Sequence, residues 1–299
     1  WVTPYAQVDR NRYLRRLKRG RFPDSRYVPA EDRAQFVNDE VVVRVDDAGV
    51  ASYFHCHPRS SVEDAFIKRG FFQKPVFDTL VPFVRPGSLV IDVGANLGAY
   101  AIPLARRFPD VEVHAFEPNP PVIARLEENI ALNRMRNRNV AVRPLALSDA
   151  PGRLRLHAVA RIEDNFGLSS LREDSLAGVD SVVTEVEVET LDRLYLMSQR
   201  PVSVIKIDVQ GHELQVLRGG RALLARFGPV LVFEHEDRLF HAGAEAEGVK
   251  RALSGFLEGL GYRCYYISRY GADLLTRVAW DRPLNGDVLA VPFAASTVT

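Results

Sequence analysis

Between residues 89 and 234 the chain alternates two patterns: short apolar runs of strand length, and longer stretches with apolar positions at helical spacing. Strands are predicted at 89–93, 111–116, 140–147, 204–209 and 229–234, with helices near 98–108, 120–134 and 213–227. Strand–helix units in succession predict a mostly parallel sheet with helices on both faces. Ligands of such sheets sit beyond the carboxyl ends of the strands. Upstream, residues 41–45 and 50–55 joined by Asp46-Asp47-Ala48-Gly49 predict a β-hairpin, and a helix over about 62–84 ends at Pro86-Gly87. A β-rich insertion fills about 152–188, and a last helix near 244–260 precedes strands at 262–267 and 288–291. Residues 1–38 are basic and broken by Gly20, Pro23 and Pro29, which suits a short helix and loop.

Composition changes this picture little. The 299 residues are 46% hydrophobic and 26% charged, as in an ordinary globular protein able to bury a core without staples. A net charge of +1 does not imply whole-molecule attraction to nucleic acid or an anionic membrane. Cys56 and Cys264 make neither a disulfide framework nor a zinc site and suit a reducing cytosol, so a cytoplasmic location is expected. No apolar run approaches the roughly 18 residues of a membrane span. The chain begins at Trp1, and the sequence leaves open what precedes it.

Candidate chemistry begins at the first of the alternating strands, in "VIDVGANLGAYAIPLA". A dinucleotide site wants G-x-G-x-x-G, whose second glycine lets the backbone approach a pyrophosphate. Here that position is Asn96, within Gly94-Ala95-Asn96-Leu97-Gly98. Its side chain would crowd a pyrophosphate and could instead hydrogen-bond an amino-acid carboxylate, a charge that the following helix N-terminus also favours. The second strand ends in "AFEPNP", placing Glu117 25 residues after Asp92 (117 − 92), where an acid can accept both hydroxyls of a ribose. Turn, Asn96 and Glu117 together favour S-adenosylmethionine over a dinucleotide.

At these residues the chain resembles the FkbM-type methyltransferase family. The motifs "VIDVGANLGAYAIPLA", "AFEPNP", "ALSD", "NFGLSSL", "VETLDRL" and "VIKIDVQGHELQVLRGG" occur in the family's order over roughly residues 65–240, and "IKIDVQGHE" is the most specific. The resemblance implies a Rossmann-like methyltransferase fold, S-adenosylmethionine as methyl donor, and a hydroxyl acceptor on a sugar, polysaccharide or polyketide-type natural product. It implies cofactor contacts from Asp92, Gly94, Asn96, Gly98, Glu117, Pro118, Leu147, Ser148 and Asp208. The family commonly carries Glu where this chain has Gln210, and often where it has Gln73. The fold class expected is therefore α/β, a doubly wound, mostly parallel sheet with a β-rich insertion. An N-terminal helical and hairpin extension over 1–75 would precede a cofactor-binding domain over 76–299.

The fourth strand, Val204 to Val209, ends in a polar cluster that this fold brings beside the sulfonium-bearing end of the cofactor. Asp208 is the leading catalytic candidate, holding the donor's ammonium, orienting the acceptor hydroxyl, or both. A sugar hydroxyl is a poor nucleophile, and a general base accelerates such reactions by roughly 10²–10⁴-fold. His212, beside a helix N-terminus that keeps an imidazole neutral, is the first candidate base, and His235 in "VFEHED" is the second. Glu213 can be explained by the helix dipole alone. Asp208, His212, Glu234 and His235 together offer oxygen and nitrogen ligands, but their spacing matches no standard metal motif, so a divalent metal is not favoured.

Other features have plainer explanations. Strand alternation in "YFHCHP" points His55 and His57 one way and Cys56 the other, without a partner cluster. "RNRYLRRLKRGR", residues 10–21, carries seven Lys/Arg. A solvated helix face, with Tyr13, Leu14 and Leu17 packing on the domain or on a second subunit of a homo-oligomer, explains it better than nucleic acid or a membrane surface. Asn165, Ser169 and Ser170 in the insertion offer hydrogen bonds to an acceptor, or simply turn chemistry. Two other functions compete. Nucleic-acid methylation is disfavoured by the near-neutral charge and the lack of an N-P-P-Tyr type tetrapeptide. A non-catalytic cofactor-binding module is disfavoured by Asp92, Asn96, Glu117 and Asp208, and left open by Gln210.

Overall fold

The computed structural model describes residues 36–37, 40–56, 63, 66, 71–135, 139–159, 169–171, 181–240, 243–268 and 275–293. Residues 10–21, His57 and Asn165 lie outside them. The predicted hairpin is β2 (Glu40–Asp47) and β3 (Val50–Cys56), with β1 (Phe36–Val37) on its edge. Ala48 and Gly49 both have positive φ, 47° and 82°, as a two-residue turn between twisted strands requires. Alternation along β3 buries Phe54 and Cys56, and Phe54 stacks on Phe66 at a ring separation of 4.7 Å.

The helix expected over 62–84 is interrupted. Gln73 adopts a left-handed φ of 47°, which no right-handed helix can run through, and Pro75 then starts α1 (Lys74–Leu80), with a 3-10 turn behind it at Val81–Phe83. The alternating core follows as predicted: β4 (Leu89–Val93), α2 (Ala101–Arg107), β5 (Glu112–Phe116), α3 (Pro120–Leu132) and β6 (Val140–Arg143). The single strand expected over 140–147 is two. Pro144 lacks the N–H to continue the ladder, and β7 (Ala146–Leu147) leaves the main sheet to join β8 (Gly152–Val159) and β9 (Ser181–Glu189) in the order β7-β9-β8.

After α4 (Leu191–Tyr195) and β10 (Val202–Ile207), the helix expected over 213–227 is also divided, into α5 (Glu213–Arg218) and α6 (Arg221–Phe227). The break is Gly219-Gly220. A Cβ on Gly219 would lie 2.0 Å from the carbonyl oxygen of Ser148, so the chain can pass the end of β7 only with glycine there. Then come β11 (Val230–Glu236), α7 (Gly243–Gly259), β12 (Tyr262–Ile267), β13 (Leu275–Arg277) and β14 (Asn285–Pro292).

The main sheet runs β13-β12-β14-β11-β10-β4-β5-β6. β11, β10, β4, β5 and β6 are parallel, while β14 inserts antiparallel between β11 and β12. Every residue of β4 and β10 is buried, because helices cover both faces. One face packs around Phe54, Phe77, Tyr100 and Leu126, the other around Leu217, Leu223, Phe233 and Leu253. The hairpin shares the first of these cores: Val45, Phe54 and Cys56 belong to it. Backbone N–H groups of Tyr53 and His55 donate to the side-chain oxygens of Asn133 (2.9 Å) and Asn129 (2.8 Å), tying β3 to α3 and the turn behind it. Strand order reverses at β4, between β5 and β10, which places a crevice beyond their carboxyl ends. Among the described residues, no helix is long and apolar enough to cross a membrane.

Candidate functional site

A cleft of about 290 Å³ lies in that crevice. At one end β4 runs into Gly94, whose φ of 75° favours glycine. Sterics require it more strongly: an added Cβ would sit 1.9 Å from the carbonyl oxygen of Asp208, because β4 and β10 converge here and Asp208 N–H donates to Val93 O (2.9 Å). Asn96 is left-handed as well (φ 50°), which turns its backbone N–H onto Glu117 Oε2 at 3.0 Å. Glu117 Oε1 accepts from Asn119 N–H at 3.0 Å. The carboxyl group is thus clamped across the mouth of the turn, and it lines the cleft with Pro118, Leu147 and Phe116. Asn119 reaches Ser169 Oγ at 3.1 Å, and Ser170 Oγ donates to Gln210 O at 3.0 Å, so the insertion closes one wall.

At the other end, Asp208, Gln210, Glu234, Glu236 and Arg238 come together at the carboxyl ends of β10 and β11. Gln210 is left-handed (φ 53°), and its Nε2 donates to Asp208 Oδ1 and to Glu234 Oε2, each at 3.0 Å. A neutral amide therefore spans two carboxylates where a glutamate would add a third like charge. Arg238 pairs with Glu236. Gln73, the other departure from the family pattern, accepts from Tyr100 Oη at 2.9 Å at the cleft edge.

Between the two ends sits a residue that the sequence reading passed over. Lys206 lies next to the carboxyl end of a fully buried strand, β10, its Nζ donating to Gly94 O (3.2 Å) and facing Asp208 Oδ2 (3.4 Å) and Asp92 Oδ1 (3.6 Å). It also lies 5.1 Å from the centre of the Tyr100 ring. The carboxylates of Asp208, Asp92 and Glu234 hold its ammonium charged against the cost of burial. Asp92 is 1% exposed and neither of its oxygens has a hydrogen-bond partner, and burial pushes it up to about 6. A charged residue interrupting the apolar run Val204 to Ile207, one alternation step before Asp208, was the signal available.

Both histidines expected as bases lie off the cleft. His235 is 1% exposed. Alternation along β11 turns it away from Glu234 and Glu236, and its Nε2 meets Asp237 Oδ1 at 3.1 Å while the ring stacks on Phe240. His212 precedes α5, and its Nε2 is hydrogen bonded to Ser148 Oγ at 2.9 Å. Ser148 is itself buried and, unlike Leu147, does not line the cleft. Gly98 (φ 92°) supports the turn from behind, against Ile102 and Leu126. Glu213 is buried beneath the β10 turn, its Oε1 accepting from Val209 N–H and Gly211 N–H, both at 3.1 Å; this fixes the loop that carries Gln210. Among the described residues, no group of three or more His, Cys, Asp or Glu is arranged to hold a metal.

Burial raises Glu117 and Glu213 from 4.5 to about 7, outweighing their backbone hydrogen bonds, and Asp92 from 3.8 to about 6. Between those limits these three groups hold protons in the folded chain that the unfolded chain has released, so their contribution to stability is greatest below the unfolded values and declines as pH rises to about 7. This outweighs the opposite contribution of the buried His114 and His235, which burial lowers. Without cofactor, the melting temperature is expected to fall from pH 5 to pH 8, and Glu213→Gln to flatten that slope. Thermal unfolding across this range would refute the assignment if the melting temperature rose.

The model of the methyltransferase FkbM domain matches residues 92–264, from the end of β4 to the start of β12, a span that carries all of the cleft lining except Phe72 and Gln73. The AMB antimetabolite synthetase AmbE of Pseudomonas aeruginosa is 27% identical over 265 residues, 73% of this chain and 12% of that protein. The 31-O-demethyl-FK506 methyltransferase FkbM of Streptomyces tacrolimicus is 32% identical over 160 residues, 46% of this chain and 60% of that one. The hexuronic acid methyltransferase AglP of Haloferax volcanii is 30% identical over 196 residues, covering 61% and 68%. The chain thus spans about an eighth of the Pseudomonas relative and three fifths of the Streptomyces one. With the matched span extending over more than half its length, the chain belongs to the FkbM methyltransferase family.

Proposed function

We propose that this methyltransferase moves a methyl group from S-adenosylmethionine to a hydroxyl of a sugar, polysaccharide or polyketide-type natural product. One observation carries the reading: a single cleft joins the glycine turn and clamped Glu117 to the Asp208–Gln210–Glu234 cluster. The donor set fits the cofactor. Asp92, two residues before Gly94, has two buried oxygens without hydrogen-bond partners, Gly94 and Asn96 line the cleft at the turn, and Glu117 offers a carboxyl to ribose hydroxyls. Gly94, Asn96, Glu117, Pro118, Leu147 and Asp208, which line the cleft, would hold it, and Asp92, Gly98 and Ser148 would support them from behind. When bound, it supplies a methyl group on positively charged sulfur. The chain's contribution is chiefly alignment, which can lower such barriers by about 7–11 kcal/mol. The names of the relatives acting on FK506 and on hexuronic acid agree with a hydroxyl-bearing acceptor.

Titration calorimetry with S-adenosylmethionine, S-adenosylhomocysteine and NAD tests the cofactor. Both sulfur compounds are expected to bind, and NAD binding tighter than S-adenosylhomocysteine would end the reading. Glu117→Ala is expected to weaken S-adenosylhomocysteine by roughly 1–3 kcal/mol, because it removes an acceptor facing buried hydroxyls. An unchanged Kd would show that the ribose lies elsewhere.

A further inference from the structure

S-adenosylmethionine and S-adenosylhomocysteine both end in an amino acid, which brings a carboxylate and an ammonium into the cleft together. Each charge needs a partner once water is displaced. The ammonium has acids to meet at the β10–β11 end, Asp208 among them. The carboxylate has fewer choices. Among the described residues lining the cleft, the cations are Lys206 and Arg238. Arg238 is largely in solvent and paired with Glu236. Lys206 is buried where the β4 turn meets the end of β10, its Nζ 3.2 Å from Gly94 O and 3.4 Å from Asp208 Oδ2. Asn96, the group in the turn suited by its amide to a carboxylate, is uncharged, and its backbone N–H already donates to Glu117. The charge must therefore be supplied from elsewhere. Asp92, Asp208 and Glu234 all keep the Lys206 ammonium charged, but its contacts to Asp208 and Asp92, at 3.4 and 3.6 Å, exceed the about 2.7–2.9 Å of a charge-assisted hydrogen bond. An ammonium on a flexible stem with three rotatable donors can exchange such a long contact for a closer one while its strand stays in place.

We propose that Lys206 and Asp208 form a ready-made receptor for the amino-acid end of the cofactor, Lys206 taking its carboxylate and Asp208 its ammonium. This rests on the reading of the chain as an S-adenosylmethionine-dependent methyltransferase. The two residues stand one alternation step apart at the end of β10, so both face the same side of the sheet. The zwitterion enters between two charges that already oppose each other. Lys206 exchanges Asp208 for the incoming carboxylate, Asp208 exchanges Lys206 for the incoming ammonium, and the buried cluster gains no net charge. Asp92 remains beside Lys206 throughout and keeps its charge balanced. With Glu117 facing the ribose at the opposite end, the pair also fixes which way round the cofactor lies.

Two ligands test this without the acceptor: S-adenosylhomocysteine, and its decarboxylated analogue, in which hydrogen replaces the carboxylate and the ammonium remains. Calorimetry at pH 6 suits the comparison, because Asp92 can take up a proton there when its counter-charge is removed. The wild-type chain is expected to bind S-adenosylhomocysteine roughly tenfold or more tighter than the analogue, the scale of one charged hydrogen bond. Lys206→Met should bring the two affinities within about twofold of each other or reverse their order. A lysine that merely supports the fold would weaken both ligands alike and leave their ratio unchanged, and that result overturns the proposal. So does a wild-type chain with no preference. Asn96→Gly, which suits the left-handed backbone there, and Arg238→Gln should both keep the preference; if either removes it while Lys206→Met keeps it, the carboxylate is held by that residue instead. Should Lys206→Met fail to fold, the double variant Lys206→Met/Asp92→Asn decides by the same ratio, since it removes the buried acid along with its cation. A wild-type chain that binds neither ligand overturns the methyltransferase reading itself.

Discussion

Lys206→Met is expected to lower stability by about 3–5 kcal/mol at pH 8, and by much less at pH 5.5. Methionine fills a similar volume, so the loss is electrostatic. Lys206 is the cation that faces Asp92 and Asp208 across the join of β4 and β10, and Asp92 is 1% exposed with no hydrogen-bond partner. Without the ammonium, Asp92 must either remain charged in a dry environment or take up a proton. With the lysine present it already stands at about 6, and removing its counter-charge can only raise it further. At pH 5.5 the proton is available and the variant tolerates the change. At pH 8 it is not, and the deficit grows. Urea unfolding at the two values measures the difference, and a second substitution, Asp92→Asn, should recover much of the pH 8 loss by removing the stranded charge. Equal small deficits at both pH values, or no recovery in the double variant, would show that the cluster is not electrostatically coupled.

How far the site could be read from sequence depends on whether a feature is local. The β4 turn is local. An apolar run, a glycine needed for its backbone angle and an acid at the end of the next strand can all be recognised from spacing, and the structure places Gly94, Asn96 and Glu117 around one cavity. The sheet core follows the same logic, since β4 lies where its apolar run predicted it. What failed was continuity. Pro144, Gly219-Gly220 and left-handed Gln73 each divide an element expected to be whole, and in each case the break redirects the chain toward the cleft or its supports.

The chemical residues were harder, for two different reasons. Glu234, His235 and Glu236 alternate on β11, so strand periodicity turns the histidine away from the face that carries the two flanking acids, as it does for Cys56 and His55 on β3. His212 offered no such clue. Its partner Ser148 is 64 residues away, and only the passage of Gly219 against the end of β7 brings the two segments together. Gln210 was visible as a departure, but its meaning required three dimensions: the amide matters because Asp208 and Glu234, on different strands, both lie at 3.0 Å from its nitrogen.

Gly94→Ala is expected to lower stability by about 4 kcal/mol and to abolish measurable binding of S-adenosylhomocysteine. Two costs coincide. Alanine at a φ of 75° carries a left-handed penalty of roughly 1–2 kcal/mol. The new methyl would also start 1.9 Å from the backbone oxygen of Asp208, which a side-chain rotation cannot relieve. Relief requires the ends of β4 and β10 to part, stretching the Asp208 N–H to Val93 O bond and the Lys206 to Gly94 O bond together. Overpacking of this kind costs roughly 1–3 kcal/mol when the neighbours can move at all. The same movement would carry Asp208 away from Gln210 and open the turn that aims Asn96 N–H at Glu117, so cofactor binding fails even in molecules that remain folded. Gly49→Ala is the matching control, because its φ of 82° imposes a comparable backbone penalty with nothing within 4 Å of the added Cβ. It should lose only the backbone share, and calorimetry should find its affinity for S-adenosylhomocysteine unchanged. If Gly94→Ala and Gly49→Ala lost equal stability and both bound the cofactor, the convergence of β4 and β10 would not be what shapes the site.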